Sequence, residues 1–74
     1  MHLVTIYDHP LDYPDSFVCR VFDLVGPTEQ FMEFDDINDA RIWAAEKLWQ
    51  LNGTDPFVFP REDDDDPFIL ETWI

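Results

Sequence analysis

The segment Asp35-Asp36-Ile37-Asn38-Asp39-Ala40-Arg41-Ile42-Trp43-Ala44-Ala45-Glu46-Lys47-Leu48-Trp49-Gln50-Leu51-Asn52-Gly53 decides the fold. Asp35 or Asp36 is suited to cap a helix, and Asp39 falls in the first turn, where free N–H groups and the helix dipole favour an acid. Asn52-Gly53 supplies the left-handed residue that ends a helix. At 100° per residue, Ile37, Ala40, Ala44, Leu48 and Leu51 fall within about 80° of one another, a stripe that needs a surface to cover it. The small Ala40 and Ala44 let that stripe lie close to a sheet. Trp43 falls to one side of it, Ile42 and Trp49 to the other, and Asp39, Glu46 and Gln50 occupy the opposite pole.

Strand signals lie on both sides of this helix. Leu3-Val-Thr-Ile-Tyr7 is a β-branched and aromatic run stopped by Asp8-His9-Pro10. Phe17 to Val25 reads as a second strand, with Phe17, Cys19, Val21 and Asp23 on one face and Val18, Arg20, Phe22 and Leu24 on the other. Gly26-Pro27 ends it. Glu29 to Phe34 alternates only roughly, as a short third strand or an irregular approach to the helix. Beyond the helix, Phe57-Val58-Phe59 is a short strand ended by Pro60, and Phe68 to Ile74 is the last. In that last strand Phe68, Leu70, Thr72 and Ile74 are expected to face inward. The expected fold is α+β, one domain over residues 1–74 in the order β-β-(β)-α-β-β. It is a small antiparallel sheet of four or five strands covered by one helix.

The chain has 74 residues, 17 Asp and Glu against 4 Lys and Arg, and a formal net charge of −13. Aromatic residues make up 16% of it, too many for a disordered acidic tail. The charge is uneven: residues 1–36 carry −7, residues 37–53 carry zero and residues 54–74 carry −6. Acidity serving solubility, or adaptation to high salt, would be spread more evenly. A charge of this sign repels phosphate, so direct binding of nucleic acid or anionic lipid is not expected. No apolar run approaches the length that spans a bilayer, and Met1-His2-Leu3-Val4 has no signal-peptide pattern. With Cys19 as the single cysteine no internal disulfide is possible. The expected location is a reducing cytoplasm, with Cys19 as a small buried hydrophobe.

Catalytic patterns are absent from the chain. His2 and His9 are the only histidines, and Ser16 has no nucleophile-elbow context. A Cys19–His9 thiolate pair would lack oxyanion donors. Carboxylate pairs suited to acid–base work need a cleft that separates their pKa values, and acids in turns have none. The run Glu62-Asp63-Asp64-Asp65-Asp66 offers oxygen ligands for calcium or magnesium. It lacks the alternating ligands and central glycine of a calcium loop, so it reads as a solvated loop or a weak divalent-ion binder. No cofactor is expected.

Presentation of negative charge to a basic partner accounts for both acidic segments. DNA carries one charge per roughly 1.7 Å of axis, and same-face carboxylates along a strand recur at about 7 Å. The candidate partner-binding residues are Asp8, Asp12, Asp15, Asp23, Glu29, Glu33, Asp35, Asp36, Asp55, Glu62, Asp63, Asp64, Asp65, Asp66 and Glu71. Tyr13, Trp43, Trp49 and Trp73 are candidate anchors at the rim, with the core as their competing place. The partner expected is a basic nucleic-acid-binding protein or complex, met by a monomer or small homo-oligomer. The competing expectation is a structural, regulatory or antitoxin-like interaction protein whose acidity serves solubility.

The opening Leu3-Val-Thr-Ile-Tyr-Asp-His-Pro10, Asp12-Tyr-Pro14 with Phe17-Val18, and the closing Asp66-Pro-Phe-Ile-Leu-Glu-Thr-Trp-Ile74 resemble small phage and mobile-element proteins. The overall character is similar to that of the acidic anti-CRISPR proteins that mimic DNA. The likeness covers about a third of the chain, at its two ends, and carries no catalytic or ligand motif. It implies a viral or prophage protein acting in the host cytoplasm, whose partner is the DNA-binding face of a CRISPR surveillance complex.

Overall fold

The computed structural model describes residues 1–74. Five strands and one helix follow one another as β1 (Leu3–Asp8), β2 (Phe17–Phe22), β3 (Pro27–Phe34), α1 (Ile37–Asn52), β4 (Val58–Pro60) and β5 (Ile69–Trp73). They form an antiparallel sheet in the order β3-β2-β1-β5-β4, so the first and last long strands are neighbours at its centre. The α+β class, the element order and the single covering helix agree with the sequence reading.

Helix α1 begins and ends where its caps require. The Asp36 carboxylate accepts the Asn38 N–H at 2.7 Å, and Gly53 takes φ +72° while its N–H donates to the Trp49 carbonyl. Ala40, Ala44 and Leu48 are fully buried against Val4 and Ile6 of β1 and Cys19 and Val21 of β2. Ile37, Leu51 and Trp43 pack at the margin of this core. At the far end of the helix, Asn52 exchanges two 2.9 Å hydrogen bonds with the backbone of His2, which ties the helix to the start of β1.

Three local readings need correction. Strand β2 stops at Phe22, not Val25: the Asp23 carboxylate accepts the N–H groups of Val25 and Gly26 and closes a turn there. That turn makes Pro27–Phe34 a full third strand. In β5 the inward face is not Phe68, Leu70, Thr72 and Ile74. Val4 pairs with Trp73 and Ile6 with Glu71, so Glu71 and Trp73 face the helix while Thr72 lies on the uncovered side. The register slips between Ile6 and Tyr7, leaving Leu70 as the extra residue of a bulge that also packs on the core.

The helix covers one face of the sheet. On the other, Phe59, Thr72, Thr5, Arg20 and Phe31 form one row across all five strands.

Candidate functional site

Strand direction decides where the acids go. β1, β3 and β4 run toward one end of the sheet, and β2, β5 and α1 start there. Three connections therefore meet at that end: residues 9–16 between β1 and β2, residues 35–36 before the helix, and residues 61–68 between β4 and β5. They carry Asp12 and Asp15, then Asp35 and Asp36, then Glu62, Asp63, Asp64, Asp65 and Asp66. Asp8 and Glu33 stand at the ends of the strands that enter this pole, and Asp39 in the first turn of the helix that leaves it. Twelve of the 17 carboxylates thus share one end of a molecule whose longest dimension is 31 Å. Arg61 is the one Lys or Arg side chain on these connections.

Backbone and side-chain bonds hold the three connections together. Asp8 N–H donates to the Phe68 carbonyl at 2.7 Å, joining the first acidic segment to the last. Ser16 Oγ donates to Glu33 Oε1 at 3.4 Å, joining the first to β3. Within residues 61–68, Asp65 accepts the Glu62 N–H and Asp66 the Phe68 N–H, while Arg61 reaches the carbonyls of Asp63 and Asp66. These acids fold their own loop. No group of three or more His, Cys, Asp or Glu side chains is placed to hold a metal ion.

Other candidates lie elsewhere. Asp23 and Asp55 sit at the opposite end, and Glu29 on the half of β3 nearer to it. The two N–H groups on Asp23 hold its carboxyl below the usual range. Glu71 is withdrawn as a presented charge, because it is 7% exposed and committed to its neighbours. Its Oε1 accepts two hydrogen bonds from Arg41 and its Oε2 one from the Trp73 indole N–H at 2.6 Å. Period two alone placed it outward. The bulge and the Arg41 pairing put it under the helix. Asp39, absent from the sequence candidates, joins the pole because the capped helix starts there.

Cys19 is buried, its Sγ within 3.5 Å of the Ala40 carbonyl. Burial pushes the thiol up to about 12, with the Glu71 carboxylate adding to the effect, so it stays protonated at neutral pH. His9 lies on the exposed turn against the Asp8 carboxylate and edge-on to the Phe17 ring. Trp43 and Trp73 are partly buried on the core, whereas Trp49 is 57% exposed.

Beside the acid pole, the uncovered face of the sheet holds a cleft of about 600 Å³. Tyr7 and Val18 come from the strands, Leu11 and Tyr13 from the first acidic connection, and Pro67 and Phe68 from the last. Asp12 and Asp66 border it from those two connections, and Arg20 from the sheet. Burial raises the Tyr7 phenol pKa, with Arg20 opposing the shift and Asp66 adding to it. Comparison with family models, with curated proteins and with solved structures gives no match for the chain.

Proposed function

We propose that this protein is an acidic inhibitor that imitates the charge of DNA and occupies the DNA-binding surface of a basic partner. The observation that carries the reading is the convergence of three separate acidic connections on one end of the sheet. Charge serving solubility has no need of such a focus. A focus raises the local field, speeds encounter with a basic surface and sets the orientation of approach. The helix N-terminus at the same end lowers the energy of holding Asp35, Asp36 and Asp39 together. The likeness to anti-CRISPR proteins makes the DNA-binding channel of a CRISPR surveillance complex the proposed surface, in a phage-infected host.

Capture from host lysate at low and high salt, with DNA as competitor, tests the reading. The expected result is a basic DNA-binding protein that is retained at low salt, lost at high salt and displaced by DNA. A salt-sensitive fraction without such a protein would sink the proposal. A second reading, an interaction protein that docks through an apolar patch, is favoured by the exposed Phe57, Val58 and Phe59 at the β4 edge. Its signature is a partner whose capture is indifferent to salt and to DNA.

A further inference from the structure

We infer that the cleft beside the acid pole seats an arginine side chain of the basic partner. The inference rests on the charge-mimic reading for the nature of the partner; its site shares Asp12 and Asp66 with the pole and adds the aromatic walls of the uncovered sheet face. Tyr7, Tyr13 and Phe68 supply aromatic surface, and Asp12 and Asp66 supply carboxylates from two different connections. Aromatic faces and carboxylates are the two groups a guanidinium engages best, one by stacking and the other by paired N–H bonds. A lysine ammonium, compact and strongly hydrated, gains less from the same walls.

The one cation at the cleft does not block this occupant. Arg20 is drawn toward β3, where its guanidinium lies 5.2 Å from the Phe31 ring centroid and its Nη1 3.5 Å from the Thr28 carbonyl. Thr28 is near the end of β3 remote from the acid pole, and Arg20 forms no ion pair with Asp12 or Asp66. A second copy of the chain is a poor occupant, since each copy carries −13 and the cleft adjoins the most negative end. A partner that also meets the pole would bring its arginine to the cleft in the same approach.

Titration of the full-length, isotope-labelled protein with acetyl-Gly-Arg-Gly-amide and acetyl-Gly-Lys-Gly-amide tests the site by NMR in 150 mM NaCl. With the arginine peptide, amide signals of Tyr7, Tyr13 and Phe68 are expected to shift saturably, with at least threefold tighter binding than for the lysine peptide. Asp12→Asn with Asp66→Asn is expected to weaken that binding at least fivefold. An amide oxygen at position 66 can still accept the Phe68 N–H, so the loop keeps its turn. Tyr13→Leu is a second variant, which removes the ring but keeps apolar volume, and an unchanged melting temperature confirms the fold of each. Shifts confined to residues 62–65, or equal affinity for the two peptides, would overturn the site. Its loss with DNA-competed capture intact leaves the charge mimic standing. Conversely, capture unaffected by DNA while the arginine peptide still saturates removes the charge mimic and leaves the cleft.

Discussion

Arg41 on the helix donates from Nε and Nη2, at 3.2 and 2.8 Å, to a single oxygen of Glu71 on β5. The Glu71 side chain is 9% exposed and that of Arg41 45%, so one partner depends on the other for its solvation. The bond from the Trp73 indole occupies the second oxygen and leaves Glu71 acceptor-only on both sides. Arg41→Met, which keeps the aliphatic stem, is expected to destabilise the fold by about 2 kcal/mol. That is less than for a fully buried pair, because water reaches the guanidinium. Glu71→Gln is no gentle change: its NH₂ must face either Arg41 or Trp73, both donors. Arg41→Met with Glu71→Leu should be less destabilised than the two singles summed, since no orphaned charge remains. Urea unfolding midpoints read all three, and strict additivity would refute the pairing.

At the start of the helix, Asp36 acts as both cap and pole charge. Its carboxylate accepts the Asn38 N–H, and it stands among other acids. Asp36→Ala loses the cap and is expected to lower stability by about 1 kcal/mol. Asp36→Asn keeps an acceptor and removes a repelling charge, so it should match or exceed the wild type at low salt. Thermal melts of the two variants separate capping from charge; equal losses would mean that the cap contributes nothing.

The helix and its stripe were readable because cap, periodicity and left-handed stop all lie within residues 35–53 and need no partner. The alternation of β2 was readable for a similar reason, since period two groups Phe17, Cys19 and Val21, but Val18 on the other face is buried as well. β5 was misread because both faces of residues 68–74 carry apolar side chains, Ile69 and Trp73 against Phe68, Leu70 and Ile74. A one-residue bulge then reverses any assignment by period two. The acid pole was legible only as composition. Its geometry depends on β5 pairing with β1 across a separation of more than 60 residues, which brings residues 61–68 beside residues 9–16. No local pattern encodes that.

Cys19 reports on the core. Its thiol is buried beneath Ala40 and shifted up to about 12, so a thiol-specific reagent at pH 8 should label it only through unfolding. Labelling rates are expected to rise with urea in parallel with global unfolding. The same shift fixes the alkaline limit. The folded state holds a proton that the unfolded thiol releases near its ordinary value of about 8.5, so stability falls as pH rises from there toward 12. Cys19→Ala should lose that part of the alkaline decline. Labelling of the native protein at the rate of a free thiol would contradict the packing.

Self-repulsion at the pole has a measurable thermal signature. The side chains of Glu62, Asp63 and Asp64 accept no hydrogen bond, so their amide counterparts remove charge without removing structure. The triple variant Glu62→Gln, Asp63→Asn, Asp64→Asn is expected to melt a few degrees higher than wild type in 10 mM NaCl. The gap should close in 1 M NaCl, where the Debye length is about 3 Å. A gap that persists at high salt would point to loop geometry rather than charge.

Charge position and charge quantity can be separated. Asp15, Asp35, Asp63 and Asp64 lie at the pole and outside the cleft, whereas Asp23, Glu29, Glu46 and Asp55 lie away from it. Conversion of either set to amides takes the net charge from −13 to −9. General attraction between an acidic protein and a basic one depends on the total, so it weakens equally in both variants. Occupation of a phosphate-binding surface by the pole depends on which carboxylates replace phosphate, so the first set should lose DNA-competed capture and the second should retain most of it. The salt slope of binding should also flatten in the first variant, because fewer matched charges are screened. Equal losses in the two variants would reduce the role of the pole to bulk charge, however closely its three connections are held together.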